Sequence, residues 1–420
     1  MTDFAAQAAG LDAADELRTY RDRFFGTGGP GHEADAKRTG MPLAYFDGNS
    51  LGRPALASIQ RIESFLRQEW GTRLIRSWDE EWMRFPFELG DKIGRAALGA
   101  APGQTFVADS TSVILFKLAR AAIDAQLARD PQRTEIVADS DNFPTDRFLL
   151  EGIAAERGLT LRWIDSDPES GVSVEQVRSV SGERTALVLL SHVAYRSGFL
   201  ADGPGITAAA HDAGAMILWD LSHSVGSVPV ELDAWGADFA AGCTYKYLCG
   251  GPGAPAFGYV AARHLDTVDQ PIHGWMGAAD IFSMGPRYEP GPGIVKFITG
   301  TPPVLGMLAM EPVIDMIAEV GIARVRAKSI ALTELVIAFA DERLEQLGVR
   351  VASPRASDSR GGHVTLAHPL MRDVTAKLWA HDVIPDYRDP GGLRIGLSPL
   401  TTSFAEVIVG LEAVESTLKE

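Results

Sequence analysis

The chain is short of cysteine, of long apolar runs and of positive charge, and each shortage removes a class of protein. Only two cysteines, Cys243 and Cys249, occur in 420 residues. They make no disulfide framework, and without histidines clustered near them they make no zinc site. Such sparing use of cysteine suits a reducing cytosol. No apolar stretch approaches the ~20 residues of a membrane-spanning helix. The first residues, Met-Thr-Asp-Phe-Ala-Ala-Gln, lack the basic start and continuous apolar core of a secretory leader, so a cytoplasmic protein is expected. Lys and Arg total 39 against 55 Asp and Glu, a formal net charge of −16. Nucleic acid and anionic membranes call for clustered cations, so neither partner is expected. The sequence also carries no internal repeat, no low-complexity linker, no dinucleotide fingerprint and no H-E-x-x-H.

What is present is ordinary globular material, 46% hydrophobic and 22% charged. The length allows two or three domains at ~150 residues each, or one large unit with a smaller partner. Apolar residues at helical spacing occupy 11–25, followed by a Gly/Pro-rich break at Gly26–Gly31 and a strand-like Leu43–Phe46. From about residue 100 strands and helices alternate. Helices are predicted over 112–128, 145–157, 174–180 and 206–213, and strands over 135–138, 159–164, 185–190, 215–219 and 239–243. That alternation implies βαβ units and a largely parallel sheet. After Pro303 a long helical stretch, 305–347, leads to short strands near 349–352, 363–366 and 393–397 and a last helix from Phe404. The expected division is an N-terminal helical segment (1–44), a large domain (45–300) and a smaller α+β domain (301–420).

Ligands of open parallel sheets sit beyond the carboxyl ends of the strands. One strand runs into Asp220-Leu-Ser-His223, and the next into Thr244-Tyr245-Lys246 and the turn Gly250–Gly253. An acid and a lysine at neighbouring strand ends suit pyridoxal-5′-phosphate (PLP), whose aldehyde needs an amine and whose pyridine nitrogen needs a carboxylate to keep it protonated. By spacing alone the pair reads more readily as solvated loop residues. Asp109-Ser-Thr-Ser112 opens a helix, where free amides and the dipole attract phosphate, though an ordinary helix cap has the same look.

These residues carry a family resemblance. Cys243-Thr-Tyr-Lys-Tyr-Leu-Cys-Gly-Gly-Pro-Gly-Ala-Pro-Ala-Phe257 resembles the kynureninase motif C-[ST]-Y-K-Y-L-N-x-G-x-G. The resemblance continues through Tyr45-Phe-Asp-Gly-Asn-Ser-Leu-Gly52, Leu74-Ile-Arg-Ser-Trp78, Phe143-Pro-Thr-Asp146 and Asp220-Leu-Ser-His-Ser-Val-Gly226. It extends to Gly274-Trp-Met-Gly277, Phe297-Ile-Thr-Gly-Thr-Pro-Pro303 and Gly392-Leu-Arg-Ile395, so it covers roughly residues 45 to 400 in order.

The resemblance implies an α/β protein of PLP-dependent transferase fold type I, the aspartate-aminotransferase fold. Its large domain would have a mostly parallel sheet with helices on both faces, beside a smaller α+β C-terminal domain. It also implies a homodimer with the active site at the subunit interface. Lys246 would carry the PLP Schiff base and shuttle protons, Asp220 would pair with the pyridine nitrogen, and His223 would lie against the cofactor. Phe143 would stack on the ring, and Asp146 would lie by its 3-hydroxyl. Thr111, Ser112 and Tyr245 would hold the phosphate, with Ser191 nearby, and Trp275 and Thr301 would reach it from the dimer partner. Tyr245 would also be a proton donor. Arg394 would clamp the substrate carboxylate, a task suited to a bidentate guanidinium, with Asn49, Ser50 and Trp78 around the substrate. Taken singly, Phe143 reads as core, His223 as a buried histidine and Trp275 as a packing anchor. The implied reaction is hydrolytic Cβ–Cγ cleavage of L-kynurenine or 3-hydroxykynurenine to anthranilate or 3-hydroxyanthranilate and L-alanine, a step of tryptophan catabolism and NAD biosynthesis.

Cys249 stands where the lysine motif has asparagine, and two further positions depart from the pattern. Ala278 stands where G-W-x-G-H has histidine, and Ile114 where V-N-L has asparagine. A related enzyme of specialised metabolism, acting on a substituted kynurenine, is the alternative these departures raise. Cysteine desulfuration and transamination are other reactions of the same fold, but desulfuration needs a nucleophilic cysteine on a mobile loop, and both cysteines here flank the lysine. A regulator that binds PLP without turnover would carry a fused DNA-binding domain, and the segment before Tyr45 is short and not basic.

Overall fold

The computed structural model of the protein describes residues 2–27 and 40–420, so 28–31 of the expected Gly/Pro-rich break lie outside the described residues. The chain starts with helix α1 (Phe4–Ala14), which Asp3 caps by accepting from the Ala6 amide, and a short helix at Arg18–Arg21 follows. The helical stretch expected over 11–25 is therefore displaced. The acids at Asp12 and Asp15 do other work: Asp12 accepts from the first amides of the last helix, at Phe404 and Ala405, and Asp15 pairs with buried Lys328.

A two-residue strand, β1 (Ala44–Tyr45), precedes the main sheet. That sheet is built from β2 (Thr105–Ala108), β3 (Glu135–Asp139), β4 (Thr160–Ile164), β5 (Thr185–Ser191), β6 (Met216–Asp220), β7 (Phe239–Gly242) and β8 (Ala256–Val260). Its order is β2-β8-β7-β6-β5-β3-β4. Strands β3 to β7 pair in parallel, while β8 runs antiparallel to both β7 and β2. Two reversals restore the direction. β2 thus points the same way as β3 to β7, and six carboxyl ends meet along one edge.

The central strands read as near-continuous apolar runs because both of their faces are covered. Alternate residues feed two separate cores. Val107, Val137, Val188, Ile217 and Trp219 join one core with the helices at Phe85–Ile93 and Gly203–Asp212. Phe106, Ile136, Leu187, Leu189 and Leu218 join the other, with helices α2 (Thr111–Arg129) and α3 (Pro144–Arg157). Each such side chain contributes about 1.5–3 kcal/mol on burial, which fixes the sheet between its helices.

The long stretch expected over 305–347 is broken into Val304–Met307, Glu311–Val320 and α4 (Ile322–Phe339), with further turns to Leu347. Gly321, at φ +83°, breaks it in a conformation that side-chain-bearing residues resist. The rest of the chain forms β9 (Arg350–Val351), β10 (His363–Ala367), β11 (Val383–Ile384), β12 (Asp386–Arg388), β13 (Gly392–Gly396) and α5 (Phe404–Lys419). The second sheet is antiparallel, in the order β12-β13-β10-β9, while β11 pairs with β1 in parallel. A third core lies here, and Phe4, Ala8, Ala44 and Phe46 from the chain's start pack into it against Leu332, Val336, Leu366 and Leu411.

Candidate active site at the strand ends

Five of the aligned strand ends deliver the candidate residues to one place. After β2 the chain turns through Asp109 and Ser110 into α2. After β3 it reaches Phe143, which opens α3, and Asp146 in that helix's first turn. Ser191 ends β5 and Asp220 ends β6, directly paired in the sheet register. Tyr245 and Lys246 come just past β7. One cavity is lined by Thr111, Ser112, Phe143, Asp146, Ser191, Asp220, His223, Tyr245 and Lys246 together.

The loop carrying the lysine is held by close packing. Gly52 donates its amide to the Tyr245 carbonyl at 2.9 Å, and a Cβ added at Gly52 would stand 2.3 Å from the Lys246 carbonyl oxygen. Only glycine fits so near. Lys246 Nζ lies 3.0 Å from Nε2 of His223. Burial first, then the charge of Lys246, pushes the His223 pKa well below its usual value, so the ring is neutral and accepts the lysine's hydrogen bond. Its remaining proton then sits on Nδ1, a buried atom with no partner.

Asp220 is buried and oriented from two sides. The Ser222 amide donates to it at 2.8 Å, and the Ser191 hydroxyl lies 3.5 Å away while donating to Asn142 at 2.7 Å. Asp146 is also buried, and burial followed by repulsion from Asp220 raises its carboxyl pKa well above the usual range. The two buried carboxyl groups thus share one cavity, and their mutual repulsion disfavours charge on both at once. Tyr245 keeps its proton, because burial, then Cys243, raises its phenol pKa. Phe143 is 37% exposed, with Tyr195 edge-on at 5.4 Å, so it is a wall of the cavity rather than core. Ser110, the residue before α2, makes no side-chain cap, which leaves first-turn amides of a 19-residue helix open beside Thr111 and Ser112.

Other candidates lie outside this cavity. Thr301 lines a neighbouring one with Asp109–Ser112 and Tyr245 of the same chain. Trp275 lines neither cavity and is 47% exposed. Trp78 packs edge-on against Trp82. Arg394, on β13, is buried, donating to the Tyr195 carbonyl at 2.8 Å and the Ser50 hydroxyl at 2.7 Å, and pairing with Asp386 at 2.7 Å. Asn49 is buried beside Gly396, with neither end of its amide bonded.

The motifs do not single out Asn142, Tyr195 or His363. Tyr195 lies four residues beyond the end of β5, within reach of a search along the loops just past each strand. His363 comes from the C-terminal sheet, its ring 5.7 Å from that of His223 and both its nitrogens buried without partners. No spacing rule connects two residues 140 positions apart.

The family model of the kynureninase C-terminal domain matches residues 325–414. Kynureninase of Pseudomonas fluorescens is 40% identical over 400 residues, covering 94% of this chain and 91% of its own. That of Burkholderia pseudomallei strain K96243 is 38% identical over 415 residues, covering 98% and 95%. Among solved structures, a cysteine desulfurase of Escherichia coli superposes with a TM-score of 0.78 at 16% identity, covering 96% of this chain and 98% of its own. The apo cysteine desulfurase of Thermococcus onnurineus NA1 gives 0.75 at 21%, covering 90% and 94%. These likenesses show the fold, which is the α/β fold type I that the motifs imply. With relatives matching end to end, the chain belongs to the kynureninase family.

Proposed function

We propose that this protein binds PLP on Lys246 and cleaves the Cβ–Cγ bond of L-kynurenine or 3-hydroxykynurenine by hydrolysis, releasing anthranilate or 3-hydroxyanthranilate and L-alanine. The observation that carries the reading is the cavity in which Lys246, Asp220, His223, Asp146 and the open start of α2 converge. When bound, PLP supplies the electron sink that lets carbon–carbon bonds of an amino acid break. The chain supplies the rest.

Thr111, Ser112, Tyr245 and the amides of α2 would hold the phosphate. Phe143 and His223 would bracket the ring, Asp220 would keep its nitrogen protonated, and Asp146 would lie by the 3-hydroxyl. Lys246 would move the proton from the substrate's α-carbon, with neutral His223 accepting its hydrogen bond meanwhile. The Tyr245 hydroxyl would serve as a proton donor. Arg394 would take the substrate carboxylate by exchanging one of its present partners, Ser50 or Asp386, for it. Desulfuration is disfavoured by the thiols. Both cysteines are buried, and burial raises both pKa values, that of Cys249 to about 12.

A substituted kynurenine is the second reading. It is favoured by Ala278, which lines a cavity with Met83, Phe87, Asp280 and Phe282 where the family pattern has histidine. The proposal includes a cytoplasmic homodimer whose partner supplies Trp275 and Thr301 to the site. Exposed Trp70, Leu74, Ile75, Phe282 and Met284 support such an interface. It also includes the division at 1–44, 45–300 and 301–420. The antiparallel C-terminal sheet supports that division, although residues 304–325 pack with the large core.

The test is to incubate the PLP-loaded protein separately with L-kynurenine and 3-hydroxykynurenine, and to quantify the aminobenzoate and alanine. Equimolar products from either, made by a species of twice the chain's mass, support the proposal. A PLP-loaded protein that cleaves neither overturns it.

A further inference from the structure

Lys117 is a fully buried lysine in α2 that the proposed chemistry does not use. An ammonium taken out of water costs several kcal/mol unless it is paired and hydrogen-bonded, so its partners show what it holds. It has three protons to donate, and three acceptors take them. Asp109 Oδ2 lies at 2.5 Å, the Phe297 carbonyl at 3.0 Å and Thr299 Oγ1 at 3.1 Å. Burial lowers the lysine's pKa, and the bond to Asp109 is what opposes that.

Asp109 borders the candidate phosphate site, and the other two acceptors lie four and two residues before Thr301, which lines the same cavity as Asp109. Asp109 sits in the turn between β2 and Thr111 at φ +45°, a left-handed conformation that aspartate tolerates better than most residues. Its carbonyl accepts from Ala256 at the start of β8. Two residues on, α2 opens with uncapped amides. A carboxylate there works against phosphate binding, because like charges a few ångströms apart repel. Phe297 and Thr299 belong to the segment leading to Thr301, which lines the neighbouring cavity together with Asp109–Ser112.

We propose that Lys117 is a positioning residue for the phosphate subsite: it cancels the charge of Asp109 and ties the Asp109–Thr111 turn to the Phe297–Thr301 segment. The inference rests on the PLP reading above. It assigns Lys117 no contact with cofactor or substrate. Its effect runs through the geometry and charge of the turn, so it should distinguish ligands with a phosphate from those without one.

The test is to titrate apoprotein with PLP and with pyridoxal, which lacks the phosphate, following the quenching of tryptophan fluorescence. Loss of a charged hydrogen bond of this kind leads us to expect Lys117→Met to weaken PLP by about tenfold or more and pyridoxal by less than about twofold. Thr299→Val, a milder change that keeps the ion pair, should move PLP affinity in the same direction by less. In the double variant Asp109→Asn/Lys117→Met no unpaired carboxylate remains, and part of the PLP affinity should return. That variant and Thr299→Val decide the matter if Lys117→Met alone does not fold. Equal weakening of both ligands, or no change in either, overturns the inference alone. A wild-type protein that binds PLP no tighter than pyridoxal overturns the cofactor reading first and the inference with it.

Discussion

His192 shows how a single buried group sets the response of the fold to pH. It lies just past β5 between Trp219 and Trp235, with Nδ1 2.9 Å from the Ser224 hydroxyl. Burial, with a lesser push from Arg326, lowers its pKa from 6.5 to about 3. Below pH 6.5 the unfolded chain takes up a proton that the folded chain refuses. Stability is therefore complete above that value and falls as pH drops toward 3, by up to about 1.4 kcal/mol per pH unit from this residue. His223 and His363, both lowered by burial, add in the same direction. Urea midpoints of wild type and His192→Asn, taken at about pH 7.5 and about pH 5.5, should show a smaller acid loss in the variant. Equal losses would show that His192 does not set the acid limb. At the same scale the motif departure at Cys249 has a visible consequence. The residue adopts φ +52°, a region asparagine visits more readily, and asparagine is what the family pattern carries there.

Elements of the main sheet are legible wherever length and periodicity agree. The helix at Val174–Val180 matches the expected span, and β3 to β7, α2 and α3 lie within a residue or so of theirs, because the helices show their period and the strands follow in alternation, bounded by turn residues. β2 and β8 are not legible. One is four residues long and wholly buried, and the other is interrupted by Gly258, so neither shows a period. The contribution of α1 to the C-terminal core is equally invisible, since it joins opposite ends of the chain. Phe4 is buried with its ring 5.0 Å from that of Phe339. Phe4→Ala should cost about 3 kcal/mol in chemical denaturation. A cost below about 1 kcal/mol would mean that α1 only rests on that core. The site itself is legible because strand ends and ordered motifs point to the same residues. Of its C-terminal contributors, Arg394 is named by the motif at Gly392–Ile395 and faces Asp386 on the neighbouring strand of the same sheet, while His363 depends on packing between sheets, which no local spacing encodes.

Across the whole molecule, a sheet covered on both faces presents six aligned strand ends, and a second sheet stands behind them carrying Arg394 and His363. Lys117 and Arg394 are buried and paired with carboxylates, while Lys246 is hydrogen-bonded to His223. Exposed apolar residues at 70–75 and 282–284 suit burial against a second copy, which would bring Thr301 and Trp275 to the neighbouring site. All of this converges on one amine. The most direct test is to reduce the PLP-loaded protein with borohydride, digest it, and find which lysine carries the cofactor. The account predicts the label on the Lys246 peptide alone, and none anywhere in Lys246→Ala. A label on another lysine, or one that survives in the variant, would contradict it.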